Sequence, residues 1–291
     1  MDSGEIRMQP TACAICGSFG NADVVYKPTF SASDLNPTVF SARRNPDRIH
    51  YRIVKCRDCG LLRSDPVADE ATLESLYQRS GFDYGKEVDN LQRTYRRYLK
   101  KVPERSGTFL EIGCGNGFVL QEALTLGYSE VAGVEPSTEA VGLAPEAIRS
   151  RIRCSMMRPG LFDGGTFGTV AMFQVLDHLP DPRAVLEECF RLLRPGGYLF
   201  CLQHNARSWT AKLLGERSPI FDIEHTYLYS EATLRRLVEG LGFRPLVCKA
   251  VWNRYSLGYL AQLAGFRNTG VGFFSFWAPL GNQYLVAQKP L

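Results

Sequence analysis

Three groups of residues in this chain have types and spacings that could do chemistry. The first is the run Gly113-Cys114-Gly115-Asn116-Gly117, entered from apolar residues beginning at Phe109 and followed by Phe118-Val119-Leu120. Glycines so placed permit a tight turn and let the backbone come close to a ligand. A helix starting directly afterwards would aim unpaired N–H groups at that ligand. The spacing is GxGxG, with Phe118 where a dinucleotide fingerprint wants its third glycine, which argues against a nicotinamide dinucleotide. Glu135 ends the next strand-like run, where a carboxylate can accept both hydroxyls of a ribose. The pair suits a nucleoside-type ligand.

The second group is two matched CxxCG knuckles, Cys13-Ala14-Ile15-Cys16-Gly17 and Cys56-Arg57-Asp58-Cys59-Gly60. Each can grip one side of a tetrahedral zinc, and the glycine eases the turn behind the second thiolate. Four thiolates close the coordination shell, so the expected zinc on Cys13, Cys16, Cys56 and Cys59 is structural. Cys114, Cys154, Cys189, Cys201 and Cys248 fall in strand- or helix-like runs and read as core.

The third group is histidine. His178, beside Asp177, follows one apolar strand-like run, His204 follows the next, and His225 lies in FDIEHTYLYS. His178 and His225 with Asp177 are the candidates for proton transfer, ahead of His204. A turn-capping role before Pro180 stays open for His178. His50 lies in the metal region with no assigned role. Gln174, late in the strand-like run that Asp177 follows, is expected to face the ligand.

These groups need a scaffold, and the chain divides into three regions. Residues 1–65 are loop-rich and carry the knuckles. Residues 66–106 read as a helical linker or lid, with Leu91, Tyr95, Tyr98 and Val102 at helical spacing. Residues 107–291 alternate strands and helices, with insertions at 206–229 and 253–283. Strands are expected at TFLEI, SEVAGVEPS, GTVAMFQVL, GYLFCLQ, FRPLVCKAVW and NQYLVAQK. Helices are expected at GFVLQEALTLG, at PRAVLEECFRLLR up to Pro195-Gly196-Gly197, and at SEATLRRLVEGLG with Ser230 as N-cap; TEAVGLAPEAIRS reads as a broken helix. Such alternation predicts an α/β fold with a mostly parallel sheet covered on both faces.

From Thr108 to about residue 250 the chain resembles the class I, Rossmann-like S-adenosylmethionine-dependent methyltransferases. LEIGCGNG is similar to their first motif, with Glu111 in its acidic position. VAGVEPS is similar to the second, FQVLDHLPDP to the fourth, and LRPGGYLF to the turn before the fifth strand. The resemblance implies that Gly113, Gly115 and Gly117 approach the methionine part of the cofactor, that Glu135 holds the ribose, and that adenine lies near Met156 and Met157, two residues that core packing would also explain. Glu111, Cys114, Pro136 and Gln174 complete the implied cofactor-binding set. One departure is Gly168, where the family usually carries Asp. The knuckles, followed by GLLRSDP and a helix, resemble the N-terminal metal ribbon of a bacterial branch whose members include small-molecule enzymes acting on sugars and natural-product intermediates.

The expected function is methyl transfer from S-adenosylmethionine to a small-molecule acceptor. An RNA-modifying methyltransferase and a non-catalytic cofactor-binding module stand as alternatives. A net charge of +4 disfavours nucleic acid, and Arg93, Arg96, Arg97, Lys100 and Lys101 fit a solvated helix face. The N-terminus lacks an apolar signal core, and no apolar run is long enough for a bilayer. A cytoplasmic protein with reduced thiols and no membrane contact is expected. The aromatics within 253–283 suit an apolar or ring-shaped acceptor, a homodimer surface or lid packing.

Overall fold

The computed structural model describes residues 7–31, 34–36, 39–40, 48–81, 87–263 and 274–291. Residues 264–273, inside the aromatic insertion, lie outside the described residues.

The alternating region builds one seven-stranded sheet. Its spatial order is Arg244–Ala250, Asn282–Gln288, Leu193–His204, Phe167–Phe173, Thr108–Ile112, Glu130–Val134, Ile152–Arg153. Asn282–Gln288 runs antiparallel to both its neighbours, and the other pairs in the sheet are parallel. Helices cover both faces, so a central strand is largely apolar along its length. Phe167–Phe173 is buried at every position. Order reverses between Thr108–Ile112 and Phe167–Phe173, and in open α/β sheets the crevice beyond such a switch point is where ligands bind.

Local signals account for most boundaries. Pro182–Leu192 is helical because the Asp181 carboxylate accepts from the Ala184 N–H at 3.0 Å and Pro182 pre-sets the first turn. Its Leu186, Cys189 and Leu192 turn inward together. Ser230 caps Glu231–Glu239 in a reciprocal pair with Thr233, an arrangement contributing about 1 kcal/mol. TEAVGLAPEAIRS breaks into Thr138–Gly142 and Glu146–Arg149.

Two expectations change, and one departure is explained. The strand expected at GYLFCLQ spans Leu193–His204, because Pro195-Gly196-Gly197 forms an irregularity within the ladder, between Leu193 and Tyr198. Cys154 is exposed, whereas Cys114, Cys189, Cys201 and Cys248 are buried. Gly168 has a steric reason: a Cβ there would lie 2.5 Å from the Ser106 carbonyl oxygen, so no aspartate fits.

The N-terminal region joins the same body. Ala22–Tyr26, Ile53–Cys56 and Leu62–Ser64 form an antiparallel sheet whose fourth strand is Tyr227–Leu228 from the 206–229 insertion. The helix Val88–Leu99 buries Tyr95, Tyr98 and Leu99. The hairpin of Asn253–Ser256 and Ser275–Ala278 is tied to it: the Trp252 N–H donates to the Tyr98 hydroxyl at 2.7 Å, and Arg97 lies 4.6 Å over the Trp277 ring. Part of the aromatic segment is thus packing for this helix. Among the described residues no helix is long and apolar enough to cross a membrane.

Candidate active site and thiol cluster

A cavity of about 500 Å³ opens at the switch point, with Gly113 and Gln174 at the ends of the two strands that flank it. Gly113, Gly115 and Gly117 have φ of 71°, 53° and 76°, the left-handed region that glycine adopts without a Cβ penalty. A Cβ on Gly113 would meet Val175 Cγ2 at 2.3 Å, so the turn also needs the missing side chain. Gly113 and Gly115 line the cavity. Gly117 instead faces Ile148 and starts the helix Phe118–Thr125. The Cys114 thiol is buried against Gly133, in packing rather than on the cavity wall. Phe118 stacks on Tyr95 at 5.8 Å, which explains a phenylalanine where a dinucleotide site would need glycine.

Glu135 is buried and accepts from the Gly115 N–H at 2.8 Å and the Ser137 N–H at 2.9 Å. Burial pushes its pKa up, and those two N–H groups oppose the rise. Both oxygens keep lone pairs for further donors. Pro136, Met156 and Met157 line the cavity beside it. Glu111 lies behind this wall, 2 % exposed, and its Oε2 has no partner. Burial, then the charge of Glu135, push its pKa well above the carboxylate range. Gln174 lines the cavity with φ of 56°, and its buried Oε1 has no hydrogen-bond partner in the protein. A left-handed glutamine holding an unmet acceptor beside a glycine cradle fits a polar ligand that donates there.

Across the cavity stand three histidines around one carboxylate. Asp177 is 1 % exposed. The Nδ1 of His204 lies 2.7 Å from Asp177 Oδ2, so the ring donates to it. His178 Nε2 is 3.9 Å from Asp177 Oδ1. The His225 ring lies 4.9 Å from that of His178 and 4.5 Å from that of His204. Burial raises the Asp177 pKa, but the hydrogen bond and charge of His204 outweigh it and hold the acid below its usual range. Burial drives His178 down to about 3. It also lowers His225, with His204 adding to the effect. The sequence ranked His204 behind the other two histidines; its place opposite Asp177 depends on two parallel strands, which linear spacing does not reveal. His50 is elsewhere, 3.3 Å from Glu216.

The two knuckles close on each other. Cys13, Cys16, Cys56 and Cys59 bring their sulfurs within 4.8 Å of one another, with Cys13 and Cys59 at 3.4 Å. Sulfurs around a tetrahedral zinc stand about 3.8 Å apart. Each knuckle repeats one backbone bond, Gly17 N–H to the Cys13 carbonyl at 2.8 Å and Gly60 N–H to the Cys56 carbonyl at 2.9 Å. The donor set fits zinc in number, chemistry and spacing.

Residues 84–248, more than half of the chain, match the Methyltransferase domain family, and the chain belongs to that family. It is 28% identical over 168 residues to a ubiquinone biosynthesis O-methyltransferase of Cronobacter sakazakii, covering 52% of this chain and 69% of that protein. It is 31% identical to the corresponding protein of Paraburkholderia xenovorans, over 37% of this chain and 50% of that one. It is 34% identical to an uncharacterized methyltransferase of Schizosaccharomyces pombe, over 44% and 52% respectively. The chain spans about half the length of these last two relatives. The geranyl diphosphate C-methyltransferase of Streptomyces coelicolor, solved with Mg2+, geranyl diphosphate and S-adenosyl-L-homocysteine, shares the fold at a TM-score of 0.51, with 18% identity over 70% of this chain and 81% of that one. Fold and family together define a class I, Rossmann-like S-adenosylmethionine-dependent methyltransferase.

Proposed function

We propose that this enzyme methylates a small-molecule acceptor, a sugar or a natural-product intermediate, whose proton is taken by His204. The observation that carries this reading is the 2.7 Å bond from His204 Nδ1 to buried Asp177. A buried carboxylate fixes the tautomer of an imidazole and stabilises its cation, leaving Nε2 to accept a proton. His204 lines the cavity, and so do His178 and His225. Burial lowers the pKa of both, so their part is to shape and polarise the acceptor pocket. This assignment revises the ranking drawn from sequence.

On the cofactor side, Glu135 would accept from the ribose hydroxyls, Gly113 and Gly115 would admit the methionine part, Met156 and Met157 would flank adenine, and Gln174 would accept a donor from the cofactor. Gly117, Cys114 and Glu111 would support that wall from behind. Bound S-adenosylmethionine supplies an electrophilic methyl group. The protein's own contribution is alignment for in-line displacement, exclusion of water and removal of the acceptor proton. Carboxylates of Glu70, Asp181, Asp222 and Glu224 line the cavity. Their charge disfavours a polyphosphate chain there and supports a small acceptor over RNA.

The four knuckle thiols are assigned a structural zinc. All nine cysteines are free, which suits a reducing compartment such as the cytoplasm. The deciding experiment supplies labelled S-adenosylmethionine with a panel of small hydroxylated and amine acceptors, and separately with RNA. Transfer to at least one small acceptor supports the reading. Salt-sensitive transfer to RNA alone overturns it.

A further inference from the structure

We propose that Asp177, His178 and His225 form a second metal site, distinct from the thiol cluster, that holds a divalent transition-metal ion at the acceptor end of the cavity. Each of the three offers one ligand atom, and all three atoms lie within 4.8 Å of one another. Ligand atoms sharing an ion at about 2.0–2.2 Å stand roughly 3–4 Å apart, so small side-chain adjustments close the set.

The strongest sign is an unmet acceptor. Asp177 is 1 % exposed, and its Oδ1 has no hydrogen-bond partner, whereas Oδ2 is satisfied by His204. A buried carboxylate oxygen left bare is costly. It faces His178 Nε2 at 3.9 Å, too far for a hydrogen bond and suited to an ion between them.

The outer contacts of the three groups also match a metal site. A ligating histidine almost always gives its other ring N–H to an oxygen acceptor. His225 Nδ1 lies 2.8 Å from the Ile220 carbonyl. A carbonyl only accepts, so that nitrogen carries the proton and Nε2 keeps its lone pair. His178 Nδ1 lies 3.3 Å from the Tyr77 hydroxyl, which can accept from it. Asp177 is oriented by His204. The backbone holds the two halves together, because the Thr226 and Tyr227 N–H groups donate to the Asp177 carbonyl at 2.8 and 3.1 Å.

Two imidazoles and one carboxylate suit zinc, iron(II) or cobalt(II) over magnesium. Three protein ligands leave positions open, and His178 and His225 border the cavity where an acceptor oxygen would enter. The ion would polarise that oxygen while His204 receives its proton, so the inference deepens the acceptor-pocket reading. Metal binding is scored without turnover, which keeps the two separable.

The probe is cobalt(II) alone. Zinc-loaded protein is incubated with cobalt(II), desalted and analysed for both metals. Wild type should retain about one cobalt per chain with its zinc unchanged, and His225→Ala and His178→Gln should each retain at least tenfold less. Cofactor affinity measured by calorimetry checks the fold of each variant; if His225→Ala loses it, His178→Gln, at a less buried position, decides. Retention equal to wild type in the folded histidine variants, no cobalt in wild type, or cobalt gained only as zinc is lost would each overturn the second site.

Discussion

The hydroxyl of Ser64 donates to the carbonyl of His225 at 2.8 Å, joining residues 161 positions apart. The Ser64 N–H also donates to the Thr226 carbonyl at 2.8 Å, and the Leu62–Ser64 strand pairs with Tyr227–Leu228. The thiol-bearing sheet is therefore the support for the loop that carries His225, a histidine proposed to face the acceptor. Gly113 and Glu135 depend on other strands, Thr108–Ile112 and Glu130–Val134.

That division predicts an unequal response to zinc removal. Releasing zinc with a thiol reagent and a chelator should lower methyl transfer more than tenfold while changing cofactor affinity less than about threefold, since a structural zinc contributes directly to the folding of its own module. Turnover and calorimetry on the same stripped sample test this. Equal loss of both would mean that the thiol cluster supports the whole fold and not the acceptor wall alone.

His204→Gln tests the base. Glutamine keeps a donor for Asp177 but cannot take a proton at the outer position. Turnover should fall by about 10²–10⁴, the usual contribution of a positioned general base, with cofactor affinity within about twofold of wild type. Turnover near wild type would remove His204 from proton transfer.

The sequence made the central sheet legible because its signals are local. Phe167–Phe173 is a mostly apolar run interrupted only by Gly168 and Thr169, Asp181-Pro182 and Ser230 mark helix starts, and the glycine turn sits where a strand meets a helix. The thiol cluster was legible because two knuckles share one form. What stayed hidden was set by tertiary pairing. Nothing in the spacing of Leu62–Ser64 announces a partner at Tyr227–Leu228, and nothing near His204 announces Asp177. The irregular start of Leu193–His204 was hidden for a related reason: Pro195-Gly196-Gly197 reads as a stop, and only the neighbouring strand makes it part of a ladder.

Gly113→Ala should be destabilising and should impair cofactor binding. The new methyl would sit 2.3 Å from Val175 Cγ2 at a backbone φ of 71°. A non-glycine residue held there costs of order 1–3 kcal/mol before the clash is counted. Adding Val175→Ala removes the clashing carbon and should recover part of the loss, leaving the backbone strain. Urea unfolding of the two variants separates the contributions. A single variant as stable as wild type would show that the turn relaxes freely.

Glu111→Gln should make the protein more stable, and more so as pH rises. Glu111 is buried with an unmet oxygen, and its folded-state pKa is raised by burial and by Glu135. In the unfolded chain it ionises near its ordinary value of about 4.3. Below that value both states hold the proton and the group adds no pH dependence. Above it the unfolded chain releases the proton while the folded protein retains it, so stability falls by about 1.4 kcal/mol per pH unit until the folded-state pKa is reached. Glutamine does not ionise and escapes that loss. The gain in melting temperature of the cofactor-free variant over wild type should therefore be larger at pH 8 than at pH 5, on the order of several degrees. Thermal melts across that range measure it. A gain that is the same at both ends would mean that Glu111 ionises equally in the folded and unfolded chains, and that its bare oxygen is stabilised by a donor the protein supplies.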